Sequence, residues 1–353
     1  MTPPPVIGFI GPKNAGKTTL IERLLPIWCG AGLRVGAIKH THHPLRTGDP
    51  HADSERVRAA GAVAVLAAGP EVPWTQAASE LPSVDFIVCE GYHAAPVVQV
   101  LVLPQAAALQ QERARAQGWV VAAVAPDPPT DPALRWWSRD DVPGLAAFVA
   151  DSCRPVAGTG PRVTAAVLAG GASRRMGANK ATLQWEGSTW LERVRRAAGE
   201  ATGGTALVVG GQGSEPWRVP DFLPDQGPLA GLAAACYHTR APWALLCPCD
   251  LPMIDAPALA TLLDHLPESG ETAAVIPVIG GRRQYTCAAY AGWAWPSAVT
   301  ALGQGTRGLR AWVDGLAVVE VGEDAWRGKG IDPVRAFADL DDPAAVDAWR
   351  RRG

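Results

Sequence analysis

Val6-Ile7-Gly8-Phe9-Ile10-Gly11-Pro12-Lys13-Asn14-Ala15-Gly16-Lys17-Thr18-Thr19 runs from an apolar strand through a glycine-rich turn into a helical pattern. The turn satisfies G-x-x-x-x-G-K-T in the context that motif needs, after a strand and opening a helix. Its glycines let the backbone curl so that successive amides face a β-phosphate, and the helix N-terminus adds its partial positive charge. Lys17 has the reach for the β- and γ-phosphates, and the Thr18 hydroxyl suits Mg²⁺. Gly11, Asn14, Gly16, Lys17, Thr18 and Thr19 are therefore the candidate nucleotide contacts. A Mg²⁺-bound nucleotide also wants a carboxylate at the end of a nearby strand. Val84-Asp85-Phe86-Ile87-Val88-Cys89-Glu90-Gly91-Tyr92 supplies it in Glu90, the candidate metal-side acid.

A second apolar strand, Val163 to Leu168, runs into Ala169-Gly170-Gly171-Ala172-Ser173-Arg174-Arg175-Met176-Gly177-Ala178-Asn179-Lys180. This loop has no Gly-Lys-Thr and works differently. Gly170 and Gly171 allow the backbone to approach a base and ribose closely. Arg175 and Lys180 offer fixed positive charge to a triphosphate whose charge builds as pyrophosphate leaves. Further on, Trp243-Ala244-Leu245-Leu246 leads into Cys247-Pro248-Cys249-Asp250-Leu251-Pro252. Asp250 stands at a strand's carboxyl end, where a Mg²⁺ ligand belongs, and Pro252 helps stop the strand. Arg175, Lys180 and Asp250 form the candidate catalytic set. Cys247 and Cys249 are expected to pack against neighbours rather than act as nucleophiles.

Composition sets the frame for both loops. At roughly 150 residues per domain, a chain of 353 residues predicts two domains. A hydrophobic fraction of 48% and a charged fraction of 19% exclude a disordered chain. A net charge of -2 argues against a nucleic-acid scaffold, which needs a basic face. No apolar run reaches the roughly 20 residues of a membrane span, and the start of the chain lacks the pattern of a signal peptide. Seven scattered cysteines do not read as a secreted framework. A cytoplasmic protein is expected.

Cys153 to Arg162, rich in proline and glycine, reads as a linker between domains at 1–152 and 163–353. In both halves short apolar runs alternate with helical patterns. Strands are expected at 35–38, 62–67, 86–89, 97–103, 120–124, 206–209, 244–247, 273–276 and 317–321. Helices are expected at 18–30, 54–61, 190–201, 229–238 and 257–266. The fold class is α/β: two domains with mainly parallel sheets, the N-terminal one P-loop NTPase-like, and sites at the carboxyl ends of strands.

The chain holds five lysines, Lys13, Lys17, Lys39, Lys180 and Lys329, so each marks a place to look. Lys39 opens Lys39-His40-Thr41-His42-His43 after the strand ending at Ile38. Adjacent side chains diverge and no further ligand is obvious, so anion or nucleotide contact is favoured over zinc, with satisfied structural histidines as the plainer reading.

GPKNAGKTTL, IKHTHH, DSERVRAAGA and DFIVCEGYH together resemble the small P-loop protein that assists molybdopterin-guanine dinucleotide biosynthesis, its adapter protein. The resemblance covers about residues 5 to 150. Two departures bear on GTP hydrolysis, predicting at most a weak GTPase. The family's Asp-x-Pro-Gly-Lys-Asp-Ser reads Gly48-Asp49-Pro50-His51-Ala52-Asp53-Ser54 here, and its lysine after the strand-end glycine and aromatic is His93. The second loop, CPCDLP and Gly227-Pro228-Leu229-Ala230-Gly231 resemble molybdenum cofactor guanylyltransferase over roughly 163 to 350, which implies a C-terminal Rossmann-like nucleotidyltransferase sheet. That resemblance implies GTP contacts at Leu168, Ala169, Gly170 and Lys180, GTP and Mg²⁺ contacts at Asp250, and a guanine preference from Gly171. It also implies a nucleotide contact from an Asp before GPLAG, with Asp221 and Asp225 both eligible. A family Asn falls at Gly210. The pattern Asn-x-Asn-Thr-Pro reads Asp339-Leu340-Asp341-Asp342-Pro343, with Asp341 a second metal-side residue.

The implied chemistry is nucleotidyl transfer from GTP, with Mg²⁺ as cofactor and molybdopterin (Mo-molybdopterin) as acceptor. Molybdoenzyme apo-proteins or their chaperones are possible protein partners. Arg282-Arg283-Gln284-Tyr285 either reaches the pterin phosphate or is a solvated loop. Three alternatives stay open: a nucleotidyltransferase using CTP or a sugar phosphate, a P-loop kinase in the first half, and a non-catalytic carrier that binds nucleotide at both loops.

Overall fold

The computed structural model describes residues 4–340 apart from 41–52, 69–80, 82–83, 94, 96, 117, 132–133, 154–161, 170–179, 186, 212, 214, 220, 222–225, 240 and 269–270. By compactness the chain divides into two units, Met1–Arg154 with Pro296–Thr306, and Pro155–Trp295 with Arg307–Gly353.

The first unit is a parallel sheet wrapped by helices. Its elements are β1 (Val6–Ile10), α1 (Lys17–Gly30), β2 (Val35–His40), α2 (Asp53–Ala59), β3 (Ala64–Ala68), β4 (Phe86–Glu90), β5 (Val98–Val102), α3 (Leu109–Arg115), β6 (Trp119–Val124), β7 (Arg135–Trp137) and α4 (Val142–Cys153). The seven strands are ordered β3-β2-β4-β1-β5-β6-β7, and each pairing is parallel. β1, β4 and β5 are buried at every residue, as unbroken apolar runs must be when both faces of a sheet are covered. α1 and α4 pack together: the Trp28 indole donates to the Ala146 carbonyl at 2.9 Å and meets Phe86 edge-on at 5.1 Å. The chain reverses direction of build on either side of β1, so the carboxyl ends of β1, β4 and β5 open the crevice where a ligand fits.

The second unit begins with β8 (Val163–Leu168) and continues through a one-turn 3₁₀ segment, Lys180–Thr182, β9 (Gln184–Trp185), β10 (Ser188–Thr189), α5 (Trp190–Thr202), β11 (Leu207–Val209) and β12 (Arg218–Val219). Then come α6 (Pro228–Thr239), β13 (Trp243–Pro248), α7 (Ala256–Leu263), β14 (Ala274–Ile279), β15 (Arg282–Arg283), β16 (Ala288–Ala291), α8 (Trp295–Gly303, which from Pro296 on counts with the first unit), α9 (Leu309–Val313), β17 (Val318–Gly322), α10 (Asp324–Arg327) and α11 (Pro333–Ala336). The sheet runs β12-β11-β8-β13-β16-β14-β15, with β17 pairing β14. β12, β11, β8 and β13 are mutually parallel, whereas β16 lies antiparallel between β13 and β14. α5 starts on a capping box: Thr189 Oγ1 accepts from the Glu192 amide at 3.1 Å, and Glu192 accepts from the Thr189 amide at 2.8 Å. Its apolar side joins α7 and Trp326 over the sheet, and the Trp326 indole donates to the Ala258 carbonyl at 2.8 Å.

The expected strands all form within a few residues of their predicted limits. Among the strands that escaped sequence reading, β7, β9, β10, β12, β15 and β16, the last lies in the middle of its sheet. Its run Ala288-Ala289-Tyr290-Ala291 has little β propensity, yet all four residues are buried in the middle of the sheet. Small side chains suit a strand covered closely on both faces, and burial there outweighs propensity.

Candidate nucleotide sites

In the first unit the phosphate loop is closed by backbone geometry. Gly11 has φ 148°, and a Cβ on it would stand 2.1 Å from the Val102 carbonyl oxygen, so only glycine fits. Asn14 sits in the left-handed region at φ 63°, which asparagine tolerates better than most residues. Gly16, at φ 85°, caps α1 without a side chain and leaves the first-turn amides facing the loop. Lys17 arches back over this turn, donating from Nζ to the carbonyls of Gly11 at 2.9 Å and Pro12 at 2.7 Å. Burial lowers its pKa, and the charges of Glu90 and Glu112 oppose that shift. Thr19 is exposed on the first turn of α1.

Strand register delivers the acid. Phe9 pairs with Glu90 across β1 and β4, so the carboxylate arrives beside the loop. Glu90 is buried, and the Thr18 hydroxyl lies 2.8 and 3.0 Å from its two oxygens. Two ligands at right angles on Mg²⁺, with bonds of about 2.1 Å, stand about 3.0 Å apart. The hard oxygens of Thr18 and Glu90 therefore have the chemistry and the spacing to share such an ion. Lys39 lies opposite Glu90 in the β2–β4 register. Its Nζ is 3.6 Å from Glu90 Oε2 and donates to Thr18 Oγ1 at 3.4 Å.

Three other residues shape this site, and two of them, Arg139 and Gln99, carried no sequence signal. Arg139, in the turn between β7 and α4, donates from Nη2 to the carbonyls of Ala15 at 3.0 Å and Leu103 at 2.8 Å, bracing the loop from outside. Gln99 is fully buried on β5, its Nε2 donating to the carbonyls of Tyr92, His93 and Ala95 and its Oε1 accepting from Gly118. It pins the segment after Glu90. His93 hydrogen-bonds the Gly11 main chain; burial lowers its pKa, against the charge of Glu112. His40 stacks on Tyr92 with ring centres 4.4 Å apart, a packing role. His42 and His43 lie outside the described residues. No group of three or more metal-ligating side chains occurs among the described residues.

In the second unit, parallel register brings distant segments to one sheet end. Leu168 pairs with Pro248 and Val167 with Cys247, so Asp250 follows the end of β13 beside the end of β8. Ala169 is held by its amide to the Val209 carbonyl at 3.1 Å. Gly211, at φ 72°, turns tightly after β11, where an added Cβ would lie 3.4 Å from the Ala169 Cβ. Gly210, at φ 71°, occupies the position of the family Asn, and its carbonyl accepts from Arg218 Nη1 at 2.7 Å. Asp221 follows β12 at the same end of the sheet. The Asp250 carbonyl accepts from the Leu340 amide at 3.2 Å. Gly170, Gly171, Arg175, Asp225 and Asp341 lie outside the described residues, as does the side chain of Lys180.

Helix α6 opens with GPLAG. Gly227, at φ 84°, passes so near Arg307 that a Cβ would lie 2.9 Å from its carbonyl oxygen. Behind Asp250, Cys247 and Cys287 are fully buried; their hydrogen bond and burial raise the Cys287 thiol well above its usual value. Cys247 packs in the core and Cys249 lies partly buried against it, as expected of both. Arg283 is committed to Glu320 and Asp314, while Arg282 is exposed. Lys329, which had no role from sequence, pairs with Asp264 at the surface.

A phosphate loop closed on a buried carboxylate, and a second sheet with acids gathered at one end, define a two-part nucleotide-binding α/β protein. Residues 165–321 match the MobA-like NTP transferase domain, and residues 6–127 match the molybdopterin guanine dinucleotide synthesis protein B family. A probable molybdenum cofactor guanylyltransferase of Bacillus cytotoxicus is 32% identical over 139 residues, 36% of this chain and 68% of the relative. One from Bacillus cereus is 34% identical over 135 residues, 35% of this chain and 66% of the relative. The molybdopterin-guanine dinucleotide biosynthesis adapter protein of Escherichia coli is 28% identical over 162 residues, 42% of this chain and 92% of that protein. The crystal structure of molybdopterin-guanine dinucleotide biosynthesis protein A from Archaeoglobus fulgidus aligns with a TM-score of 0.45 at 22% identity, over 54% of this chain and 97% of that one. The chain belongs to the molybdenum cofactor guanylyltransferase family in its C-terminal half, and its N-terminal half matches the synthesis protein B family model over residues 6–127.

Proposed function

We propose that the chain is a bifunctional molybdenum cofactor biosynthesis protein, with functional domains at 1–152 and 163–353. In this reading the second transfers GMP from GTP to molybdopterin or Mo-molybdopterin. The terminal phosphate oxygen of the acceptor attacks the α-phosphorus of GTP in line, the bond to the β-phosphate oxygen breaks, and pyrophosphate leaves. The observation that carries the reading is the β8–β13 register, which supports a shared site for Leu168, Ala169 and Asp250. Asp250, with Asp341 from the C-terminal segment, would hold Mg²⁺, which offsets the charge that develops on the transferring phosphate. Arg175 and Lys180 stabilise the departing pyrophosphate. Gly170 and Gly171 admit the base and ribose, and Asp221 or Asp225 contacts the nucleoside. No side-chain nucleophile is required.

The first domain binds GTP through Gly11, Asn14, Gly16, Lys17, Thr18 and Thr19, and Thr18 and Glu90 would hold its Mg²⁺. It assists transfer rather than performing it, with weak GTPase activity at most. Both substrates are small molecules, and apo-molybdoenzymes or their chaperones are the protein partners in view. No helix among the described residues is long and apolar enough to cross a membrane; the cytoplasm is the proposed place of action. Incubating the chain with molybdopterin and Mg-GTP or Mg-CTP, then identifying the nucleotide product, tests the reading. A guanine dinucleotide with equimolar pyrophosphate is expected; a cytosine product, or none, defeats it.

A further inference from the structure

Arg218, on β12, is held at three points around its guanidinium. Nε donates to Glu215 Oε2 at 2.8 Å, Nη1 donates to the Gly210 carbonyl at 2.7 Å, and the group lies 5.3 Å from the centre of the Trp217 ring. Those bonds use the Nε hydrogen and one hydrogen of Nη1; Nη2 has no hydrogen-bond partner among the described residues. The side chain is only 10% exposed, so its planar fork is fixed before any ligand arrives. The turn after β11 is shaped around it. At Gly211 a Cβ would lie 2.8 Å from Arg218 Nη1 and 3.4 Å from both the Cβ and the carbonyl oxygen of Ala169. The bare backbone there leaves one unfilled point bordered by the guanidinium and by the segment that follows β8.

Topology decides which part of a nucleotide this place suits. The strands run β12-β11-β8-β13, all parallel, so Asp250 after β13 and Arg218 on β12 flank the end of β8 from opposite sides. A GTP whose α-phosphate meets Mg²⁺ at Asp250 then lays its nucleoside across Ala169 toward β11. The ion pair with Glu215 offsets the arginine's charge, which suits it to a neutral acceptor rather than to the triphosphate. Guanine presents two such acceptors, O6 and N7, on one edge, whereas adenine and cytosine each carry an amino donor where guanine has O6. Resting on the reading that the second domain transfers GMP from GTP, we propose that Arg218 determines base specificity, its Nη1–Nη2 edge donating to O6 and N7 of the guanine.

The test compares GTP with 7-deaza-GTP, in which a C–H replaces N7, as substrates of the full chain with molybdopterin and Mg²⁺. Steady-state kinetics are measured for the parent, Arg218→Met and Arg218→Lys. Lysine keeps the charge but has no fork, and it serves if the methionine variant fails to fold. In the parent, KM for 7-deaza-GTP should exceed that for GTP about tenfold. The ratio should fall to about one in Arg218→Met and below about threefold in Arg218→Lys, with kcat changed less than KM. A residue that only braces the 210–217 turn would raise both KM values and leave their ratio as in the parent. That result overturns the proposal, as does a parent ratio near one. If the parent forms no dinucleotide from GTP, the transferase reading itself fails, and the role of Arg218 with it.

Discussion

Gly231 on α6 presses on Leu168 at the end of β8, where a methyl group in place of its hydrogen would stand 2.7 Å from Leu168 Cδ2. The last glycine of GPLAG therefore sets how closely a helix can lie under the first residue of the proposed GTP segment. Leu168 Cδ2 is the end of a flexible side chain, so Gly231→Ala should cost only about 1 kcal/mol of stability while turning Leu168. Gly231→Val should cost about 1–3 kcal/mol. Steady-state kinetics should show a raised KM for GTP in the alanine variant. An unchanged KM would separate this contact from the nucleotide site.

Asp250 and Lys17 belong to different units, and their loss should separate the two activities. Asp250→Ala should lower dinucleotide formation by about 10²-fold or more through loss of the metal. Lys17→Ala should abolish nucleotide binding by the first domain and leave transfer largely intact. Measuring both variants for product formation decides the matter. Near-normal turnover in Asp250→Ala would refute the assignment.

Gln99 satisfies three carbonyls and one amide in a fully buried position. Gln99→Leu keeps the volume and strands those groups, each unsatisfied buried group costing about 1–3 kcal/mol. A loss of at least about 2 kcal/mol in denaturant unfolding is expected. A loss smaller than about 0.5 kcal/mol would mean that the 92–95 segment finds other partners.

Arg139 braces the phosphate loop through the Ala15 and Leu103 carbonyls. Without it the loop must be ordered at the expense of nucleotide binding energy. Arg139→Ala should weaken GTP binding about tenfold, read by calorimetric titration, with dinucleotide formation unaffected. Equal affinity in the variant would make the brace irrelevant to binding.

His93 carries a pH signature. Burial lowers its pKa from 6.5, so the unfolded chain binds the proton more readily than the folded one. Stability therefore rises with pH across the window from the lowered folded value up to 6.5, and protonation below it destabilises the fold. His93→Asn should flatten the part of the unfolding-midpoint profile that lies below pH 6.5. A profile as steep as the parent's would place the titration elsewhere.

The two strand–loop–helix motifs were legible because their meaning is local. A glycine at φ 148° and another at φ 85° with a lysine and threonine after it leave a recognisable spacing, and the strand before them is an unbroken apolar run. Glu90 was legible for the same reason, as the acid that ends such a run. Arg139 was not, since nothing near Trp136-Trp137-Ser138-Arg139 marks a residue that reaches a loop 124 positions earlier in the chain. Gln99 was hidden inside an apolar strand, and β16 inside an alanine-rich run. Arg283 looked available to an anion until the pairing of β14 with β15 and β17 put Glu320 beside it.

The sequence by itself determined the fold class, both loop chemistries and the residue types that serve them, because each follows from short-range spacing and backbone permissiveness. Tertiary structure decided which of those groups meet. Parallel pairing places Glu90 across from both Phe9 and Lys39, and Pro248 across from Leu168. Strand neighbours are chosen by the burial of whole faces rather than by nearby residues. That choice turned Lys39 from the first letter of a histidine-rich stretch into a cation held against the acid of the phosphate loop.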